Sequence, residues 1–471
     1  MASATLMASV YPYVKSTRID TERVLLRPRP YERFGGFLIL LPLLPKRAPL
    51  PALPAEVWRK IMALAMEDGS GSNKDWILKE SPQMETNMKL QNSSSPLWKW
   101  DLALICKDLK NVALPLLYAD VKLKSLHALE KFTHLLLSSD QKWDSIRRIP
   151  YSTPGRWVQF LDVSDLEINS RSEFCQADGL LTTLFPLLPF LSRLELSLSM
   201  QLSRRAMLSL GLRDGAQNLR CLNGIKYDAT TVLSGEDPLT ELVACCTGLE
   251  ELEVVGVGVD DIDMSRSSPE PMDKAPPLFH LSHLHTLTIL ATPMSPLLLR
   301  LINSPLPALQ TVIITPYGDL QPPQSGISEF LAAHGESIRT LVLHTPKTWP
   351  IARYPPPRSL LYILPNLNQL SLETSGLALD APPSSQSQKH PLTSIWISRP
   401  TSGLREELLR IISSLPNLRE VRARDVRWTK RTMSASAREA GFQGEMWAWR
   451  RLLAAYKVKM LDADGLEDAE C

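Results

Sequence analysis

A spaced apolar triplet, Leu-x-x-Leu-x-Leu with aliphatic substitutes, recurs over more than half of the 471-residue chain and limits how it can fold. The last two positions of each triplet are two residues apart, the spacing that places side chains on one face of a β-strand. The later copies begin at 249, 284, 309, 338, 367, 392 and 418, at intervals of 25 to 35 residues. An apolar segment with helical spacing precedes the triplets. The pattern predicts one strand and one helix per repeat, stacked into an array.

We expect the second and third residues of each triplet to point into the core and the residue between them to point outward. No strand signal follows Trp428, so a helical cap is predicted there. The triplets are Val158/Leu161/Val163, Leu191/Leu194/Leu196, the pair Leu219/Leu222, Leu249/Leu252/Val254, Leu284/Leu287/Ile289, Leu309/Val312/Ile314, Ile338/Leu341/Leu343, Leu367/Leu370/Leu372, Leu392/Ile395/Ile397 and Leu418/Val421/Ala423.

Charge and cysteine usage restrict the classes of partner and the compartment. The 52 basic and 50 acidic residues leave a formal net charge of +2, which gives no support to nucleic acid or to an anionic membrane as a partner. The most lipid-like stretch, 37–44, is far shorter than the roughly 20 residues of a membrane span. The six cysteines lack the spacing of a disulfide framework, and no secretory signal is evident. We therefore expect an intracellular protein, cytoplasmic or nuclear.

Two apolar motifs precede the repeats. The first begins at Leu53-Pro54-Ala55-Glu56-Val57, and Val57, Ile61 and Leu64 fall on one face of a predicted helix. A polar stretch over 67–96, rich in Ser, Asn and Gly, predicts a long loop. The second motif is Leu104-Ile105-Cys106-Lys107-Asp108-Leu109, and a run from Leu114 to Leu123 continues it.

These two motifs resemble the F-box, and with the triplets downstream the chain resembles fungal F-box proteins that carry degenerate leucine-rich repeats. The resemblance implies an adaptor without a cofactor or an active site. Its helices would dock on a Skp-type adaptor, and through it on a cullin-based ubiquitin ligase, while the repeats bind a protein substrate. The residues that match the docking motif are Leu53, Pro54, Val57, Ile61, Leu64, Leu104, Ile105, Cys106 and Leu109.

Two departures from the F-box pattern favour a different interpretation. The 67–96 loop is longer than the usual connection, and Leu109 stands where a Trp is common. The alternative is a leucine-rich scaffold that bridges proteins without ligase association.

The predicted architecture is therefore α/β, with parallel strands on one face of a solenoid and helices on the other. The expected segments are 1–49, irregular; 50–123, F-box-like, with the 67–96 loop; 124–154, a helical connector; 155–428, the leucine-rich-repeat solenoid; and 429–471, a helical cap with an acidic tail.

The sequence contains few motifs that are typical of a metal site or a catalytic site. His280, His283 and His285 could suggest a metal site, but the last two flank Leu284 of a triplet, so strand geometry explains their spacing better. No Gly-rich phosphate loop, zinc-protease motif or nucleophile elbow is present in the sequence. We expect no metal site and no enzyme.

The substrate surface is predicted on the outward side of the last strands. Ser371, Trp396 and Arg422 occupy the outward position of three successive triplets, and Trp and Arg are enriched in binding hot spots. Alternatively, Trp396 is covered by the loop around 382–383 or stacks on Arg422 within the chain. The basic run from Arg419 to Arg431 is either a binding patch or, more simply, a solvated face.

Overall fold

A computed structural model describes twelve ranges of the chain: 54–66, 104, 107–147, 153–228, 237–257, 278–292, 295–316, 326–345, 358–373, 379–381, 390–428 and 441–467. The chain divides into two units, Met1–Leu53 and Pro54–Cys471, and every described residue belongs to the second.

The second unit contains twelve described α-helices and twelve described strands. The helices are α1 Ala55–Met66, α2 Lys107–Ala119, α3 Leu126–Arg147, α4 Thr153–Trp157, α5 Arg171–Leu184, α6 Arg204–Gly211, α7 Pro238–Cys245, α8 Pro296–Asn303, α9 Ile327–His334, α10 Leu360–Ile363, α11 Ser402–Ile412 and α12 Gly441–Ala454. The strands are β1 Asp120–Lys122, β2 Phe160–Asp162, β3 Arg193–Glu195, β4 Cys221–Tyr227, β5 Glu251–Gly256, β6 Thr286–Leu290, β7 Thr311–Ile314, β8 Thr340–Leu343, β9 Gln369–Leu372, β10 Ser394–Ile397, β11 Glu420–Ala423 and β12 Lys459–Leu461. Among the described helices, none has the length and apolar character needed to cross a membrane.

The twelve strands form one parallel sheet in which spatial order equals sequence order. This arrangement is a solenoid-like α/β fold, as the triplets predict. The sheet is longer than the expected 155–428, because β1 pairs with β2 and β12 pairs with β11. The prediction that strands end before Trp428 is therefore wrong, although helix α12 does follow the eleventh strand.

The triplets place side chains as predicted on the inner side of the sheet. The second and third residues of every full triplet are buried, and they share one continuous core that runs from Val121 to Met460. In the register, Leu341 lies beside Leu370, and Leu370 lies beside Ile395, so inward residues form columns across the strands.

Backbone hydrogen bonds form a ladder between successive strands where β3 to β11 begin. The Ser192 carbonyl accepts from the amides of Arg220 and Cys221, and the Arg220 carbonyl accepts from those of Glu250 and Glu251. The same two-amide pattern recurs at every strand from β3 to β11. Because the ladder uses backbone atoms, the side chains along this edge are available for other contacts.

A turn before each strand adds a buried position that the triplet pattern does not contain. The amide of Leu309 bonds to the carbonyl of Leu306, and that of Leu367 bonds to Leu364 in the same way. Both earlier residues are buried. In most repeats the core unit is thus four apolar residues, with the additional one three positions before the triplet, whereas Gly155 and Gly335 occupy this position before β2 and β8.

Candidate functional site

Helices α1 and α2 pack on each other and form a small core of their own. Buried Met62 of α1 contacts buried Ala113 of α2, and partly buried Leu109 and Leu116 surround them. Helix α1 begins after Pro54, whose carbonyl accepts hydrogen bonds from the amides of Val57 at 3.0 Å and Trp58 at 3.2 Å. The two predicted motif helices are therefore brought together, although about 40 residues separate them in sequence.

The apolar face of α1 predicted from the sequence is exposed. Val57 is 39% exposed, Ile61 42% and Leu64 71%, and Leu104 is 81% exposed. Side chains at positions i, i+4 and i+7 lie along one face of a helix, so the three α1 residues form a continuous strip. The strip is a candidate docking surface, since exposed apolar strips of this kind mark interaction sites.

The other members of the predicted docking set have different positions. Pro54 is exposed, whereas Leu109 points into the small helical core. Leu53, Ile105 and Cys106 lie outside the residues whose side chains are described. Trp58, 36% exposed, extends the apolar surface of α1, and the sequence reasoning did not select it.

The outward residues of the strands form a row across the sheet that is in register except between β4 and β5, where the pairing shifts between Leu222 and Ile225. The row changes character along its length: it is polar and acidic at β2 to β5, closed to solvent at β6 to β9, and aromatic and basic at β10 and β11. Its members from β2 onward are Asp162, Glu195, Asn223, Glu253, Thr288, Ile313, Val342, Ser371, Trp396 and Arg422.

The predicted substrate residues are neighbours, as the register argument required. Trp396 pairs with Ser371 on one side and with Arg422 on the other. The guanidinium of Arg422 lies 4.9 Å from the centre of the Trp396 ring, and Trp396 Nε1 donates to Ser394 Oγ at 2.8 Å. Trp396 thus stacks within the chain, the arrangement considered as the alternative, while keeping part of its surface exposed.

Ser371 does not offer a contact surface. Its side chain has no exposed area, and its buried hydroxyl has no hydrogen-bond partner. The outward position was expected to be solvent-facing, but the apolar residues Ile313 and Val342 in the same row, which form a second small cluster with Leu290, are buried as well. Trp396 and Arg422 are the two residues of the predicted set that a partner could reach.

A buried ionic cluster follows the ends of β8, β9 and β11. Glu373 contacts His344 Nδ1, accepts from the Thr345 amide at 2.7 Å, and lies 3.7 Å from Arg424. Burial acts to raise the pKa of Glu373, but the hydrogen bond from His344 and the nearby positive charges hold that pKa below its ordinary value. Each charge in this cluster is paired, and the cluster stabilises the packing of three repeats against each other.

His280 and His283 are exposed, and His285 lies directly before β6. His285 bonds through Nδ1 to Thr286 Oγ1 at 3.0 Å. Within the described ranges, no group of three or more His, Cys, Asp or Glu side chains is arranged to hold a metal ion.

Comparison with known proteins adds no family assignment. Neither a scan against protein-family models nor a search of curated proteins finds a match to the chain.

Proposed function

We propose that the chain is the substrate-recognition adaptor of a cullin-based ubiquitin ligase, in which α1 docks on a Skp-type adaptor and the repeats bind a protein substrate. The observation that carries this proposal is the exposed strip of Val57, Ile61 and Leu64 on a helix that is held in place through Met62. The resemblance of the surrounding sequence to the F-box supplies the identity of the partner.

The arrangement of α1 suits helix docking for a physical reason. Met62 anchors one face of the helix to α2, so the strip on the other face is presented on a positioned element. A partner groove that covers the strip removes apolar surface from water, and such buried apolar centres carry most of the binding energy of an interface.

The substrate would be bound at the partly exposed section of the outward row on β10 and β11. Trp396 and Arg422 are stacked and partly exposed there. This contact orders both side chains before a partner arrives, which reduces the entropic cost of binding.

The docking proposal is tested by Ile61→Asp. Ile61 is exposed and the fold does not depend on it, but a carboxylate at the centre of an apolar interface would be buried without a partner. We expect the affinity for a purified Skp-type adaptor, measured by isothermal titration calorimetry, to fall at least roughly thirtyfold, the equivalent of one 2 kcal/mol hot spot.

Leu135→Asp is the matched control. Leu135 lies on another helix, α3, and is 41% exposed, nearly the same fraction as Ile61. This variant should bind the adaptor like the wild type. If the wild type itself shows no binding at micromolar concentration, the ligase function is excluded and the scaffold without ligase association takes its place.

A further inference from the structure

An open cleft of about 1080 Å³ lies where the helical pair meets the starting edge of the sheet. One wall consists of residues from α1, α2 and α4, among them Arg59, Leu116 and Trp157. The opposite side follows the backbone ladder at the strand starts, with Gln159 before β2 and Glu250 before β5. The cleft is separate from the apolar strip of α1 and from Trp396.

Positive charge dominates the cleft. Arg59, Arg156 and Arg220 line it, whereas Glu250 is its one acidic residue. Glu250 pairs with Arg220 at 3.0 Å, and this leaves Arg59 and Arg156 without an acidic partner among the described residues. Two guanidiniums that face one cleft without counter-charges form a site for negatively charged groups.

Aromatic residues also line the cleft. The guanidinium of Arg156 is 5.9 Å from the centre of the exposed Phe190 ring, and Trp157 packs beside Tyr118 with ring centres 6.0 Å apart. The cleft therefore offers apolar contact area next to Arg156.

The length of the cleft indicates an extended ligand. From Gln159 to His283 it crosses the starts of β2 to β6, four strand spacings of about 4.8 Å, or about 19 Å. An extended peptide advances about 3.3 Å per residue, so about six residues would fill this length. A small anion would leave most of the cleft empty.

We propose that this cleft binds an extended peptide segment of a partner protein in which acidic and apolar residues alternate. Acidic side chains would pair with Arg59 and Arg156, and apolar side chains would lie on Trp157, Phe190 and Leu116. This site does not require that α1 dock on a Skp-type adaptor, so the two proposals can fail independently.

The test measures fluorescence anisotropy with the full chain and a fluorescein-labelled Glu-Leu-Glu-Leu-Glu-Leu peptide, at low ionic strength (about 50 mM salt), where charge pairs are weakly screened. A Lys-Leu-Lys-Leu-Lys-Leu peptide is the charge-inverted probe. We expect the acidic peptide to bind at least roughly tenfold more tightly than the basic one, and the difference to shrink as salt is added.

The double variant Arg59→Ala/Arg156→Ala should weaken the acidic peptide about tenfold, whereas Arg59→Lys/Arg156→Lys should retain part of the affinity. Arg205→Ala, at an exposed arginine of α6 outside the cleft, is the matched control and should bind like the wild type. Both cleft arginines are exposed, so the variants should melt at the wild-type temperature.

Three results would overturn the proposal. The first is equal binding of the acidic and basic peptides, and the second is unchanged affinity in the double alanine variant. The third is displacement of the peptide by millimolar inorganic phosphate, or tighter binding of a six-nucleotide uridine RNA, which would assign the cleft to a small anion or to nucleic acid. Ile61→Asp should leave peptide affinity unchanged, which separates this test from that of adaptor docking.

Discussion

Replacing Leu370 by Ala tests whether neighbouring repeats depend on each other through the inward columns. Leu370 is fully buried, and its Cα is in register with Leu341 of β8 and Ile395 of β10. Because each repeat of a stacked array contacts its neighbours alone, a cavity at this position weakens both flanking repeats while leaving distant ones unchanged.

The cost follows from the groups removed. Leucine to alanine removes three carbons from a buried site, and at about 0.8 kcal/mol each the lost transfer free energy is about 2.4 kcal/mol. The cavity that remains adds to this loss, and measured values for such substitutions are about 2–5 kcal/mol. We expect a loss of about 3 kcal/mol in the local free energy of unfolding around β9.

The adjacent residue provides an internal control. Ser371→Ala removes a buried hydroxyl that has no hydrogen-bond partner, so it should be neutral or stabilise by about 1 kcal/mol. Urea denaturation followed by circular dichroism gives the unfolding midpoint, and limited proteolysis with mass spectrometry locates new cleavage sites. Cleavage should concentrate around β8 to β10 in Leu370→Ala. An unchanged unfolding midpoint for Leu370→Ala would refute the assignment of Leu370 as inward and Ser371 as outward. An equal loss of stability in Ser371→Ala would refute it as well.

Two further predictions concern the outward row. Burial and, to a smaller extent, the Glu195 carboxylate raise the pKa of Glu253 to about 7. Between about pH 4.5 and 7 the folded state therefore binds one more proton than the unfolded state. The free energy of unfolding falls as the pH rises through this range. One pKa unit corresponds to about 1.4 kcal/mol, so Glu253→Gln should stabilise the protein by about 3 kcal/mol at pH 8 and have little effect at pH 4. Urea denaturation at both pH values measures this difference, and the opposite pH dependence would contradict burial as its cause. Trp396→Ala and Arg422→Glu should each reduce recovery of substrate protein from native cell extract while leaving the melting temperature within a few degrees of wild type. Loss of stability with partner binding retained at low temperature would instead give Trp396 a structural role.

The strands could be predicted where two inward aliphatic residues flank one outward residue, as in β2, β3 and β5 to β11. The strands at the two ends depart from this pattern. The triplet that contains β1 starts with Tyr118 in place of an aliphatic residue, and its apolar pair was assigned to the continuation of the F-box-like motif. In β12, Met460 is the one aliphatic inward residue, because the third position is Asp462, which is buried and hydrogen-bonded to the Trp428 amide. A polar residue can end a triplet when the backbone nearby supplies its partner.

The candidate surfaces were less predictable from the sequence than the fold. Helical periodicity alone identified the strip on α1, and register alone placed Trp396 between Ser371 and Arg422. The burial of Ser371 and the Trp396–Arg422 contact depend on what covers each strand, which the triplet spacing does not encode. The sequence does contain one signal of the buried section of the outward row, because Ile313 and Val342 are apolar residues at outward positions. The cleft brings together residues from α1, α2, α4 and five strand starts, and no local pattern links them.

The outward row is buried at β6 to β9, and this determines how many separate contacts a partner needs in order to bind along this side of the sheet. Its two accessible ends, at β5 and β10, are five strand spacings apart, about 24 Å. A molecule that engages both ends must therefore carry two separate epitopes joined by at least about seven extended residues. Its overall affinity would be set by the effective concentration that this connection imposes on the second contact, and shortening the connection below the span would abolish simultaneous engagement.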